Sequence, residues 1–317
     1  MTVAAVLLGY AAGAGTLGAR MLGRARWMGR APLLGIVTYL AAGWSVLAAL
    51  GLAGLTLAVH ATPLGGGLSH LIGACVLRLR ATYATPGGAT VAGLGLILAG
   101  AVVARTTLTA VTHLRAAGRQ ALRHAQTARL AGWPEPALGA VLVEHPEPAA
   151  YCVAGRHPTV ILTTGAVAAL DPAQLGAVLA HERAHLAGRH HRLLAMARIG
   201  RQVLPFVPLM RDADMQVARL AELHADDAAT QASDPRSLAT ALVVLATATA
   251  ASPAPALAAA ATDALQRIHR LLGPAEPLRP VRRHLLRATA AALALTPVLL
   301  ALTPAVVALA LGRVHAA

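Results

Sequence analysis

Charge is missing from this sequence over four long stretches, and that constrains the fold more than any other feature. Residues 2–19 carry none, and neither does the chain from Ala31 to Leu77. Thr85-Pro86-Gly87-Gly88 opens a third apolar run to about Val111, interrupted only by Arg105, and residues 288–312 form a fourth. A helix needs about 20 apolar residues to cross a bilayer, so the reading is four spans: 2–19, Leu33 to about Val59, Gly88 to about Val111, and 288–312. The whole-chain balance agrees. Only 13% of residues are charged, against about 25% in a soluble globular domain.

The 27 basic residues are all Arg and give a net charge of +14. They gather beside the apolar runs: Arg20, Arg24, Arg26 and Arg30; then Arg115, Arg119, Arg123 and Arg129; then Arg279, Arg282, Arg283 and Arg287. Under the positive-inside rule each cluster is cytoplasmic, so both termini lie outside. Attraction to anionic lipid accounts for the charge, and no nucleic-acid motif accompanies it, so direct nucleic-acid binding is not expected. Arg115 to Arg129 repeat at helical spacing with Leu114, Leu122 and Leu130, which reads as an amphipathic helix on the membrane surface. LSHLIGACVLRLR, residues 68–80, has an apolar core too short to span, and the 63–79 stretch reads as an external loop, an interfacial segment or a re-entrant hairpin. Cys75 and Cys152 fall on opposite sides of the membrane in this layout, so a disulfide between them is not expected.

Between the third and fourth spans lies a segment of different character. ALGAVLVE reads as a short strand, and AYCVAGRHPTVILTTG reads as a hairpin turning at Gly155–Pro158. Asp171 is then a helix N-cap with Pro172 at the first position and Gln174 completing a capping box. The helix it starts carries HERAH, residues 181–185, and runs past Arg198 without Pro. His181 and His185, four residues apart, share one helical face and can reach one Zn²⁺, while Glu182 lies close enough to act on a water. A third ligand is needed. In AELHADDAA, Glu222 and Asp226 are again four apart. Alone they would be an ordinary solvated acidic face; beside HERAH they read as a ligand and as the carboxylate orienting a ligand histidine. His190, His191 and His224 read as surface residues rather than ligands, and one of them, or His157, His269 or His284, is an open candidate for stabilising an oxyanion.

LDPAQLGAVLAHERAHLAGRHH followed by AELHADDAA resembles the gluzincin metallopeptidases, and in particular the integral-membrane peptidases of the β-lactam sensor-transducer (antirepressor) type, with kinship to HtpX-like membrane proteases. The close resemblance covers about residues 140–232. It implies a multi-span α-helical membrane protein with an inserted α+β zinc peptidase domain: spans in 1–113, a cytoplasmic peptidase domain in 114–284, and a last span with a short external tail in 285–317. It implies one Zn²⁺ on His181, His185 and Glu222, Glu182 as general base, and Asp226 behind a ligand ring. The expected partner is a cytoplasmic protein substrate such as a winged-helix transcriptional repressor. Quality control of membrane proteins is the alternative, and a non-catalytic metal-binding receptor or scaffold is a third reading. In such folds the sheet edge beside the active-site helix accepts substrate. Val160 to Thr164 is the candidate for it, with an ordinary core strand as the competing reading. β-Lactam-binding members continue into a large external sensor domain, and none is expected within these 317 residues.

Overall fold

The computed structural model describes residues 2–58, 87–155, 158–248, 254–274 and 276–314. The 63–79 segment, Cys75 and His157 lie outside the described residues. Among the described residues, four helices are long and apolar enough to cross a membrane. Helix α1 spans Thr2–Gly23 with a π-helical stretch at Ala14–Gly18. Helix α2 is Pro32–Ala58, helix α3 is Gly88–Ala131, and the last long helix, Pro280–Val314, comes at the end of the chain.

Helix α2 is the hub of this bundle, packing on α1, α3 and the last helix. Small residues let the backbones touch. A Cβ on Gly54 would meet the Gly95 carbonyl at 2.6 Å, and one on Gly95 would meet the Gly54 carbonyl at 2.6 Å. One polar knot sets a common depth for three helices: Tyr10 Oη lies 2.8 Å from Ser45 Oγ and donates to the Leu293 carbonyl at 3.2 Å.

Helix α3 departs from expectation. Its 44 residues form one unbroken helix, about 66 Å long at 1.5 Å per residue, more than twice the hydrocarbon thickness. The segment after Val111 is therefore the same rod as the span. Its small face, Ala121, Ala125 and Ala128, packs on the sheet, while Leu114, Leu122 and Leu130 are exposed. The expected boundary at 113/114 falls inside this helix, and the one at 284/285 falls inside the last.

Four strands follow: β1 Gly132–Glu135, β2 Ala140–Val143, β3 Ala150–Val153 and β4 Thr159–Thr163. Their order is β1-β2-β4-β3, with β2 and β4 parallel and the other pairs antiparallel. The hairpin read between β3 and β4 is present. The candidate edge at Val160 to Thr164 is not an edge, because β4 pairs on both sides; among the described residues, the free edge beside the HERAH helix is β3. Alternation along β4 explains why it is central: Val160 and Leu162 face one layer and Ile161 the other.

The remaining helices are α4 Thr164–Ala169, α5 Pro172–Ala187, α6 His190–Val203, α7 Pro208–Ala229, α8 Pro235–Ala248, α9 Ala254–Leu272 and α10, the Pro280–Val314 helix already described. Helices α5 and α8 cover the sheet through Leu175, Val178, Leu179 and Ala241. Helices α6 and α7 do not join that layer. Ile199, Val203, Leu209, Met210, Val217 and Leu220 share one core with Leu7, Ile36, Tyr39 and Val46 of α1 and α2. Helices α6 and α7 are thus built against the long apolar helices, while the sheet keeps a core of its own under α5 and α8.

Candidate metal centre

Helix α5 begins as its sequence dictates. Asp171 Oδ1 accepts from Gln174 N at 2.8 Å, and Gln174 Oε1 accepts from Asp171 N at 3.1 Å, closing the capping box. The helix stops earlier than expected, at Ala187. Arg189 adopts a left-handed φ of 49°, and the chain restarts as α6 at His190. Gly188 makes the break tight: a Cβ there would sit 2.6 Å from His190 Nε2. A straight α5 would carry His190 away; the break turns it back under His185.

His181 and His185 meet at 3.1 Å, Nε2 to Nε2. Glu222, from α7, brings Oε2 to 3.5 Å from His181 Nε2 and Oε1 to 3.4 Å from His185 Nε2. The ligand atoms, one from each of the three residues, lie within 4.8 Å of one another, close enough for the donors to draw in to the roughly 3.3 Å spacing of a tetrahedral zinc site. Their nitrogens and oxygens are also the borderline donor set that Zn²⁺ takes.

Each ligand is held from behind. Asp226, fully buried, brings Oδ1 to 3.0 Å from His181 Nδ1, at an angle short of a full hydrogen bond. Burial excludes the solvated-acidic-face reading for Asp226. His185 is held by His190, Nδ1 to Nδ1 at 2.9 Å, and His190 Nε2 reaches His224 Nδ1 at 2.8 Å. With His185 Nε2 facing the metal, its Nδ1–H donates to His190 Nδ1, and His190 Nε2–H donates to His224. His190 is therefore not a surface histidine: it is 1% exposed. His224 is half-buried against it, while His191, His269 and His284 are exposed.

Arg267 of α9 completes the centre, and the sequence offered no local sign of it. Its Nε and Nη2 donate to Asp226 Oδ2 and Oδ1 at 2.8 and 2.6 Å, and Nη1 lies 3.0 Å from Glu222 Oε2. One turn on, Arg270 donates to Asp227 Oδ1 at 2.6 Å and to the Gly29 carbonyl at 3.0 Å. Helix α9 is thereby tied both to α7 and to the turn between α1 and α2.

The charges follow from these contacts. Burial would lower the His181 pKa, but the Asp226 and Glu222 carboxylates beside the ring outweigh it and lift it to about 9. Burial would raise Glu222, yet His181, His185 and Arg267 hold it well below the carboxylate range. Glu182 is raised, chiefly by burial. Its neighbour Cys152, on β3, is pushed up to about 12 by burial and by the Glu182 carboxylate, so that thiol stays protonated. Burial, then His185 and His224, take His190 down to about 4, which keeps it neutral and able to accept.

Residues 115–213 match the model of peptidase family M48. The match holds HERAH and stops short of Glu222, Asp226 and Arg267, which rest on the geometry. It supports a metallopeptidase, and the His181, His185 and Glu222 group could hold the metal. Comparison with curated proteins and with solved structures found no match.

Proposed function

We propose that the chain is a membrane-anchored zinc endopeptidase with its centre on the cytoplasmic side, both termini outside, and a cytoplasmic protein as substrate. The observation that carries this reading is the donor triangle of His181, His185 and Glu222, with Glu182 on the same helix as the two histidines. Zinc bound there would supply a Lewis acid that makes water acidic and polarises a carbonyl. Glu182 then takes a proton on its carboxylate and returns it to the leaving amine; burial moves its affinity for protons in the direction this role needs. Asp226 and His190 hold the two ligand rings. The free edge of β3, which carries Cys152 against Glu182, is suited to pair with an extended peptide beside the base.

The layout of spans, with the likeness of 140–232 to antirepressor peptidases, favours a transcriptional repressor as target and a role in signalling. A second reading, turnover of membrane proteins, draws on one contact. Leu220, two residues before Glu222, lies against Gly35 near the start of the α2 span, where a Cβ would meet Leu220 Cδ1 at 2.9 Å. That contact supports a centre close to the membrane surface. What accumulates on inactivation separates the two: a single repressor, or many misfolded membrane proteins.

The test is Glu182→Gln beside Glu222→Ala, with zinc content and cleavage of a co-expressed repressor, or of the chain itself, read in the same preparations. Glu182→Gln keeps its zinc and loses about 10²- to 10⁴-fold in turnover. Glu222→Ala loses metal and activity together. Normal cellular output from Glu182→Gln overturns the peptidase reading and leaves the scaffold.

A further inference from the structure

We infer that the tip of the α6–α7 hairpin is a membrane-inserted element that seats in the acyl chains of the leaflet bordering the peptidase segment. The inference rests on the membrane reading above. Residues 202–210, QVLPFVPLM, carry no charge, in a segment otherwise rich in Arg and Asp.

Contacts fix the depth of this tip. Val207 meets α1 at Gly15, where a Cβ would come within 2.9 Å of Cγ1, and Met210 Sδ lies 3.5 Å from the corresponding position on Gly43 of α2. The Tyr10–Ser45–Leu293 knot provides the ruler. Gly43 is two residues, about 3 Å, to the basic side of Ser45. Arg287, the last charge before the α10 span, is six residues, about 9 Å, to the basic side of Leu293. Met210 therefore lies about 6 Å deeper than the last charge of α10, and Val207, on Gly15 about 7.5 Å to the basic side of Tyr10, about 2 Å deeper, which puts the tip in the interfacial layer.

The chemistry of the tip agrees. Pro205 and Phe206, the chain's single phenylalanine, point away from the protein, and Phe206 is 74% exposed. The last two carbonyls of α6 are satisfied without water: Arg105 of the α3 span donates to Val203 O at 2.8 Å and to Gln202 O at 3.0 Å. That gives Arg105 a partner in a span otherwise free of charge, and backbone polar groups at this depth need one. Behind the tip stands a collar of Arg198, Arg201 and Arg211, with Arg201 paired to Asp214 at 2.7 Å. Such a collar suits anionic headgroups. Because α7 carries Glu222 and Asp226 four and five turns beyond the tip, insertion would seat the metal centre at a set height over the bilayer.

The experiment uses the full chain with Cys75→Ser and Cys152→Ser, reconstituted in vesicles of phosphatidylcholine and phosphatidylglycerol. Single cysteines at Phe206→Cys, Ile97→Cys and Leu122→Cys carry a fluorescent label, quenched either by nitroxide-labelled lipid or by aqueous iodide. Ile97 and Leu122 are 68% and 56% exposed on α3, so the labels perturb no core. Ile97 reports the span, and Leu122, about 25 Å past Arg105 along the helix, reports water. Quenching of the 206 label by lipid nitroxide, several-fold above its quenching by iodide and in step with Ile97, is the expected result. Iodide quenching in step with Leu122 overturns the inference while the spans stand. Iodide quenching at Ile97 removes the membrane reading and the hairpin inference with it.

Discussion

Arg267 clamps Asp226 with two parallel hydrogen bonds, Nε to Oδ2 at 2.8 Å and Nη2 to Oδ1 at 2.6 Å, across 41 residues of sequence. Asp226 is wholly buried and Arg267 14% exposed by side chain, so little water screens the pair. The same carboxylate faces His181 Nδ1. One guanidinium therefore holds the residue that orients a ligand ring.

Removing that guanidinium strands a buried carboxylate, so Arg267→Ala is expected to destabilise the protein by about 3–5 kcal/mol. Arg267→Lys keeps the charge but cannot make the fork, and falls between. Thermal unfolding in detergent, read beside zinc affinity, checks both. Wild-type stability for Arg267→Ala would remove the clamp.

The metal-free centre should depend on pH in a defined sense. His181 is raised to about 9 in the folded chain from 6.5. Its contribution to metal-free stability is fully present below pH 6.5 and is lost as pH rises through about 9. Zinc needs the neutral ring, so apparent zinc affinity should climb by up to about tenfold per pH unit over the same window, with proton release on binding. Calorimetric titration in buffers of different ionisation enthalpy reads both. A flat affinity between pH 6.5 and 9 would contradict it.

Gly188→Ala tests the turn that brings His190 under His185. The added Cβ would meet His190 Nε2 at 2.6 Å, and the ring must move. Loss of a partner behind a ligand histidine weakens metal binding by about 10- to 100-fold. His190→Leu should do the same without touching the backbone. Competition with a zinc chelator measures both. An unchanged affinity for His190→Leu would reduce His190 to packing.

Part of this centre was legible because its geometry is local. Two histidines four residues apart share a helical face wherever a helix forms, and the Asp171 capping box and Pro172 announce that helix. Glu222 and Asp226 follow the same rule on α7, and long charge-free runs mark helices that can span whatever surrounds them. The peptide hydrogen bonds of a helix close over four residues, so such features need nothing distant.

Tertiary structure alone decided the rest. His190 looked like a surface residue until the left-handed turn at Arg189 folded it inward. Val160 to Thr164 became a central strand because β2 and β3 claimed both its edges. Arg267 stands 41 residues beyond Asp226 in the sequence, and the docking of α9 on α7 joins them. The seating of α6 and α7 against α1 and α2 likewise follows from long-range burial. Sequence periodicity tells which face of a helix is apolar, but which neighbour covers that face is decided by the packing of the whole chain.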